Sequence, residues 1–408
     1  MSRLRDVVVV GAGPGGSAAA AALARAGLDV LLLDKSEFPR DKTCGDALSP
    51  AGVTLLRGLG LGEALEKEAF RIDFVSVTAP DGRTVVAPIP PHPVHPAHSY
   101  VVPRMLLDDR IRQAAVGSGA EFEGAFHARA LRQEDGMITV SGETAGRTSE
   151  QQARLAIVAT GASLPLLAAA GLAPRRVHYA HAARAYYEGL SGLDPQLQIR
   201  FDGVALPGYA WIFPLSETSA NVGAGFYRRT RRTPATAAAM LRGFLESPGA
   251  RSVFAGATAA APIKGFPLRT DFHRSPTVGP RVMLVGEAAG LVNPFTGEGI
   301  DYALESGKMA AEAALTCFAE GDFSPRSLSR YDRALRARFQ RAFVLTHRLR
   351  AFYMNPLLLD PFLRACERWP ELTRLLVEVM LTYQDPAKLL RPTVLLRVVR
   401  SLVSASSG

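Results

Sequence analysis

The sequence predicts an α/β protein in three parts: a Rossmann-like domain, an antiparallel β-sheet inserted into it, and a C-terminal helical region. Three observations lead there. Val7-Val-Val-Val-Gly-Ala-Gly-Pro-Gly-Gly16 is an apolar strand running into a glycine turn, followed by a helix of small residues. Val282-Met-Leu-Val-Gly-Glu-Ala-Ala-Gly-Leu-Val-Asn-Pro-Phe-Thr-Gly-Glu-Gly-Ile300 repeats that plan about 270 residues later. Between about 176 and 268, short stretches alternate apolar and polar residues, the period of half-buried strands.

The elements follow in order. Asp6–Val10 is apolar from Val7 onward, as a strand covered on both faces must be. Ser17–Ala26 is a helix of small side chains that can lie close to a sheet. Val30–Leu33 is the second strand, and Asp34 ends it 23 residues after Gly11, which completes a βαβ unit. Phe74–Thr78 and Thr84–Ala87 flank Asp81-Gly82 and predict a hairpin. Pro88–Pro96 is too rich in proline for a central strand. Met105–Ala115 predicts a helix, and Leu155–Ala159 a buried strand ended by Thr160-Gly161. Ala183–Tyr187, Tyr209–Phe213 and Ala220–Phe226 are strands of the inserted sheet, interrupted by a helix near Pro234–Leu245. Ser306–Ala319 continues a helix that begins near Gly299, and beyond Arg326 the chain is helical and punctuated by prolines. The expected division is 1–73, 99–175 and 270–325 for the Rossmann-like domain, 74–98 and 176–269 for the sheet, and 326–408 for the helices.

Composition narrows the class. No stretch of 18 residues is both apolar and free of charge, so no membrane-spanning helix is expected. The first strand begins too early to leave room for a signal peptide. Cys44, Cys317 and Cys366 lie far apart without a CxxC pair, which points to a reducing, cytoplasmic setting and away from structural zinc. His92, His95 and His98 sit in the proline-rich loop with no acid or cysteine nearby, so no metal site is expected. From Phe323 to the end, 15 Arg and Lys stand against 6 Asp and Glu; that excess of nine equals the +9 of the whole chain. It is interleaved with apolar residues in Leu389-Leu390-Arg391 and Val394-Leu-Leu-Arg397-Val-Val-Arg400. Such an end suits the anionic cytoplasmic face of a membrane, or else the solvated face of a helical bundle. No motif for nucleic acid is present, and none is expected as a partner.

The two glycine loops point to one long cofactor. In Gly11-x-Gly13-x-x-Gly16, Gly11 permits the tight turn, Gly13 lets a pyrophosphate approach, and Gly16 allows close helix–sheet contact. The helix N-terminus then faces the phosphates. Asp34 can accept hydrogen bonds from ribose hydroxyls, with Lys35 beside it. No second GxGxxG marks a nicotinamide domain. Ala159-Thr160-Gly161 and the Gly286–Gly299 loop instead suit the ribityl chain and redox ring of FAD. Gly297 and Gly299 are expected to present N–H groups at a helix start, stabilising an anionic reduced flavin by roughly 0.3–2 kcal/mol.

With Arg104 in Val102-Pro-Arg-Met-Leu-Leu-Asp108, the combination resembles the flavoprotein group that includes the aromatic hydroxylases and the geranylgeranyl reductases. The implied fold is the glutathione-reductase/aromatic-hydroxylase type. The resemblance puts Arg104 near the cofactor, where the residues alone also allow a surface charge. It puts the acid of a Gly-Asp motif on the ribityl chain; here that pair is Gly286-Glu287, one methylene longer. Lys42-Thr-Cys44-Gly45-Asp46-Ala-Leu-Ser-Pro50 resembles the Cys-Gly motif of geranylgeranyl reductases, in the Cys-Gly-Asp form of those acting on polyprenyl quinone tails. Pro207-Gly-Tyr209-Ala-Trp211-Ile-Phe213-Pro214 resembles their Tyr-x-Trp-x-Phe-Pro strand, and Asn293-Pro294-Phe-Thr-Gly297-Glu-Gly299, followed by Ile300, their flavin loop. The resemblance runs from Val7 to about Ala319.

It implies an FAD enzyme that saturates isolated C=C bonds of an isoprenoid chain on a prenyl quinone, a prenyl lipid or a geranylgeranyl group. Hydride would come from N5 of the reduced flavin. Cys44, Asp46, Tyr209 and Trp211 are the expected catalytic residues, and Cys44 and Gly45 also lie beside the flavin. Tyr209, Trp211, Phe213 and Pro214 are expected to hold substrate, with the three rings on one strand face. Plain core is the alternative for each ring, and a buried small residue is the alternative for Cys44. A route with cation character at the tertiary carbon would gain about 0.5–2 kcal/mol from aromatic faces. The proton donor is open among Cys44, Tyr209 and a bound water. The electron donor is either transiently bound NAD(P)H or a ferredoxin. The competing reading on the same fold is an aromatic monooxygenase or halogenase; the halogenase Trp-x-Trp-x-Ile-Pro is absent, and no lysine sits beside the strand. A third is a prenyl-lipid escort without flavin, like the Rab GDP-dissociation inhibitors.

Overall fold

A computed structural model describes residues 3–227, 233–353 and 355–405. Its first sheet is parallel at the centre. Leu4–Val10 pairs with Val30–Leu33 on one side and with the end of Arg147–Val158 on the other; Glu121–Glu123 and Val282–Leu284 extend it outward. Val7–Val10 and Leu31–Leu33 are buried on both faces, which explains their unbroken apolar run. The helix Pro14–Arg25 covers one face, between Ile300–Glu320 and Arg104–Gly117. A Cβ on Gly307 would stand 2.2 Å from the carbonyl oxygen of Gly15, so the small residues there permit two helices to touch.

The sequence reading found only the last residues of Arg147–Val158. Its first half pairs antiparallel with Met137–Thr144, which in turn pairs with Phe126–Glu134. These strands are largely solvent-facing, and their many charges hid the pattern.

The second sheet runs in the order 258–259, 179–188, 219–226, 208–214, 196–200, 74–78 and 84–88, with 264–269 also on 179–188. The sequence predicts an antiparallel sheet, and the structure corrects this at one pair: Gln196–Arg200 runs parallel to Phe74–Thr78. The hairpin at residue 74 joins a sheet formed mostly 100 residues later, and only a long crossover can connect it. One face of this sheet, with Ala210, Ile212, Val222 and Ala224, packs on Met240 and Phe244 of the helix Ala237–Leu245. On the other side, Val75, Val77, Val85 and Ala87 share a core with Leu359, Phe362, Leu363, Leu376 and Val377. These last residues come from Pro356–Arg368 and Pro370–Met380, so the C-terminal helices are built into the sheet rather than appended to it. The helix Pro392–Ala405 turns Val394, Val398 and Ser401 inward and leaves Leu396, Val399 and Leu402 exposed. Among the described residues, no helix is long and apolar enough to cross a membrane.

Candidate active site

One cavity of about 620 Å³ joins the two glycine loops, the sheet and the C-terminal helices. At its nucleotide end Gly11 has φ +108, and a Cβ there would lie 2.4 Å from the carbonyl oxygen of Ala159. Gly13 faces open space; the nearest atom to a Cβ would be an Arg40 nitrogen at 3.8 Å. A phosphate can therefore approach this backbone, as the sequence suggested. Gly16 does not line the cavity. A Cβ on it would stand 1.9 Å from the carbonyl oxygen of Gly11, so its task is packing behind the loop. Asp34 is buried and accepts from the N–H of Ala12 at 2.8 Å and of Ser36 at 2.9 Å, with remaining lone pairs toward the cavity. Lys35 is exposed at the rim.

Arg104 is no surface charge. It is 7% exposed and binds Asp108 through two hydrogen bonds of 2.6 and 2.8 Å. Burial opposes its charge, but Asp108 and the Cys44 sulfur alongside hold its pKa above the ordinary guanidinium value. Asp108 also takes Arg40 at 2.9 Å. Arg40 and Asp108 escaped the sequence reading. Arg40 lies just beyond the second strand, 3.8 Å from the Asp34 carboxylate, and the nearness of a basic residue to that acid was the available signal.

At the other loop, Gly286, Glu287, Gly297, Gly299 and Ile300 line the cavity, as do Thr160 and Gly161. Glu287 Oε1 accepts from the N–H of Arg269 at 2.9 Å, and Oε2 faces Gly161. The longer acid is thus held in place by backbone from the inserted sheet. Pro294 lies off the cavity; its carbonyl accepts from Arg350 at 3.2 Å. Tyr227 and Tyr209 donate to the neighbouring carbonyls of Phe295 and Thr296, at 2.7 and 2.6 Å. Three side chains therefore clamp this loop.

The helix start beyond it differs from expectation. The N–H of Gly297 turns inward to the carbonyl of Asn293 at 2.9 Å, and that of Ile300 donates to Glu298 Oε1 at 3.1 Å. Asp301 accepts from the N–H of Tyr302 and from Ser49. Two acids occupy the positive end of the helix, which lowers what its dipole can offer an anion. Burial pushes the pKa of Glu298 well up, with Asp301 adding to it, and burial lifts Asp301 to about 6.

The sheet supplies the wall. Tyr209, Trp211 and Phe213 all face the cavity, with adjacent ring centroids 6.0 and 6.2 Å apart, while Ala210 and Ile212 point into the opposite core. Trp211 reaches across Gly223; a Cβ there would lie 2.0 Å from the indole. Pro214 is buried off the cavity. Cys44, Gly45 and Asp46 lie on this wall, and a Cβ on Gly45 would meet Phe213 at 3.1 Å. Asp46 is fully buried with φ +66, and burial raises its pKa to about 6 against the lowering effect of bonds from Asn221 and Tyr186. Asn221 and Tyr186 were not foreseen. A lone amide in the apolar strand Ala220-Asn-Val-Gly-Ala-Gly-Phe226 was the available signal. Lys42 also reaches the cavity from its own loop, its ammonium 4.0 Å from the Phe266 ring centre, and burial lowers its pKa.

Beyond Trp211 the lining is apolar: Val75, Val77, Leu197 and Ile199 from the sheet, then Leu359, Phe362, Leu363, Leu376 and Met380 from the C-terminal helices. Elsewhere, His92 stacks on His95 and Tyr383, and no cluster of three or more His, Cys, Asp or Glu suited to a metal occurs among the described residues.

The open backbone at Gly13, the placed carboxylates of Asp34 and Glu287, and a cavity spanning both loops fit FAD. Comparison with known proteins agrees. Residues 5–188 match the family model described as an FAD binding domain. The chain is 41% identical over 328 residues to a menaquinone reductase of Mycobacterium tuberculosis, covering 75% of this chain and 76% of that one. It is 36% identical over 344 residues to digeranylgeranylglycerophospholipid reductase 1 of Methanopyrus kandleri, covering 83% and 88%. In fold it is similar to a solved geranylgeranyl bacteriochlorophyll reductase-like protein of Thermoplasma acidophilum, with TM-score 0.79, 22% identity and coverage of 93% and 100%. The cavity and these relatives together make the chain a member of the geranylgeranyl reductase family of FAD-dependent oxidoreductases.

Proposed function

We propose that this enzyme reduces isolated double bonds in the isoprenoid tail of a membrane lipid, with a prenyl quinone as the first candidate. One observation carries the reading: the cavity that begins at the flavin loops ends in a chamber lined by apolar side chains, with an aromatic wall between. A polar aromatic substrate would leave most of that chamber filled with nothing it prefers. A prenyl tail fills it and gains roughly 25 cal/mol for each Å² of apolar surface removed from water.

FAD, when bound, supplies the hydride. Gly11, Gly13, Asp34, Arg40 and Arg104 would hold its nucleotide and phosphates; Thr160, Gly161, Gly286, Glu287, Gly297 and Gly299 would hold the rest. Tyr209 and Trp211 hold the alkene and offer ring faces to positive charge that develops at its tertiary carbon. Cys44, Gly45 and Asp46 close the same wall, Phe213 backs Gly45, and the chamber excludes water from the reacting carbons.

The test is anaerobic. Reduced protein is mixed with a panel of prenyl quinones and prenyl diphosphates, and the products are weighed by mass spectrometry. A gain of two hydrogens that lies in the prenyl chain, and so survives reoxidation of any quinol to its quinone, is expected on at least one prenyl lipid; no such gain on any, with flavin present, would refute the reading.

We further propose that the enzyme docks on an anionic membrane surface, on the cytoplasmic side. Leu357, Leu390, Leu396, Val399 and Leu402 are exposed on the C-terminal helices among Lys388, Arg391, Arg397 and Arg400. Leu357 stands on the helix Pro356–Arg368 that also walls the chamber, and Ser401 of the helix Pro392–Ala405 bonds to Pro361 of that helix, so docking would hold the chamber near the lipid surface. The protein should sediment with vesicles containing phosphatidylglycerol and not with pure phosphatidylcholine. Leu396→Glu with Val399→Glu should cut that binding at least tenfold.

A further inference from the structure

We propose that Lys42 is the counter-ion of the reduced flavin: its ammonium meets the negative charge that two-electron reduction leaves on the ring. The inference rests on FAD in this cavity and not on which lipid is reduced.

The loop from Arg40 to Asp46 is anchored at Asp41. Arg184 and Lys264, paired neighbours on adjacent strands of the inserted sheet, both bind the Asp41 carboxylate, Lys264 at 2.8 Å. Arg184 also donates to the carbonyl of Lys42 at 3.4 Å. Asp41 is thereby taken by two cations, and the next side chain, Lys42, lines the cavity without it.

Six Lys and Arg side chains line that cavity: Lys35, Arg40, Lys42, Arg104, Arg129 and Arg184. Arg40 and Arg104 share Asp108, Arg129 pairs with Glu143, and Arg184 with Asp41. Lys35 is exposed at the rim. Lys42 alone of the six, among the described residues, is desolvated and has no ion pair. Burial lowers its pKa and Arg104 lowers it further, while Glu287, Cys44 and Asp108 work against this. Its contact is a ring face, with the ammonium 4.0 Å from the centre of Phe266. A ring repays only part of what desolvating an ammonium costs, so the cavity holds a cation that an anionic ligand would neutralise.

FAD carries two kinds of negative charge. Its phosphates belong at Gly13, where the helix Pro14–Arg25 offers its N-terminus and Arg40 stands close. Lys42 keeps other company. Phe266 is on the strand Lys264–Arg269 of the inserted sheet, Cys44 lies on the aromatic wall, and Glu287, the acid that Lys42 feels most, belongs to the second loop. These residues surround the end of the cavity assigned to the ring. The helix start there serves an anion poorly, because Glu298 and Asp301 occupy it. Charge on a reduced ring therefore needs a cation from elsewhere in the cavity, and Lys42 has no carboxylate to leave. A site that binds the reduced form more tightly than the oxidised form raises the midpoint potential by the ratio of the two affinities.

The test is an anaerobic potentiometric titration of the holoenzyme against reference dyes, with no lipid present. Lys42→Met should bind reduced flavin about tenfold less well relative to oxidised flavin, which lowers the two-electron midpoint by about 30 mV. Lys42→Gln, polar and uncharged, should fall by a similar amount, and Lys42→Arg should stay near the wild type. Affinity for oxidised FAD, read from quenching of its fluorescence, should barely change in any of them. Equal midpoints in wild type, Lys42→Met and Lys42→Gln would overturn the proposal. So would a loss of affinity for oxidised FAD with an unchanged midpoint, which would put the ammonium on the phosphates instead. None of these measurements uses a lipid, so failure of the alkene reading leaves them intact.

Discussion

Trp211→Ala is expected to keep FAD bound and to lose most alkene reduction, at least about 30-fold in turnover if only a 2 kcal/mol contact with developing positive charge is removed. The side chain meets Asn221, Gly223 and the rings of Tyr209 and Phe213, away from the nucleotide end, so cofactor affinity should hold. The indole lies over Gly223, is 6% exposed, and is held by Asn221. Truncation also opens a cavity and should lower stability by about 3–5 kcal/mol. Trp211→Phe separates the two effects. It keeps an aromatic face, loses the bond to Asn221, and should recover much of the rate. Cys44→Ala is the companion variant, expected to bind flavin and to lose most activity. Full activity in both Ala variants would mean that reduction happens elsewhere.

Asp46→Asn should make the protein more stable above neutral pH. Burial raises the folded pKa of Asp46 from 3.8 to about 6, so the fold favours the neutral form. The stability this contributes is fully present below pH 3.8 and is lost as pH rises through about 6. At pH 8 the wild type carries the whole cost, on the order of 3 kcal/mol at 1.36 kcal/mol per unit. Asn cannot ionise, tolerates the left-handed backbone at φ +66, and can turn its carbonyl toward Tyr186 and Asn221. Thermal melts should therefore place the variant above the wild type at pH 8 and close to it at pH 4. A variant that is less stable at both would show that Asp46 is an ordinary paired carboxylate.

What the sequence made legible was what local chemistry dictates. The turn at Gly11 and the run Val7–Val10 each need their residue types in a fixed order, and the aromatic strand alternates because strands must. What it hid was contact between distant segments. Asn221 gains meaning only when its strand lies beside Tyr186 and Trp211, and Arg40 only when the helix from Arg104 brings Asp108 to it. Glu298 and Asp301 carry no sequence signal of their own; folding turns them back onto the helix start and onto Ser49. The C-terminal helices carry no motif; their part in the cavity comes from packing of Leu359, Phe362 and Leu376 against Val75 and Val77.

The central claim is that a reduced flavin in this cavity gives its electrons to an unactivated prenyl double bond. Purified protein, reduced without oxygen until bleached, should regain its yellow flavin absorbance when a prenyl quinol is added. Recovery should match the double bonds consumed and should fail with the fully saturated analogue. Protein that stays bleached with every unsaturated lipid, or recovers equally with the saturated one, would contradict the account.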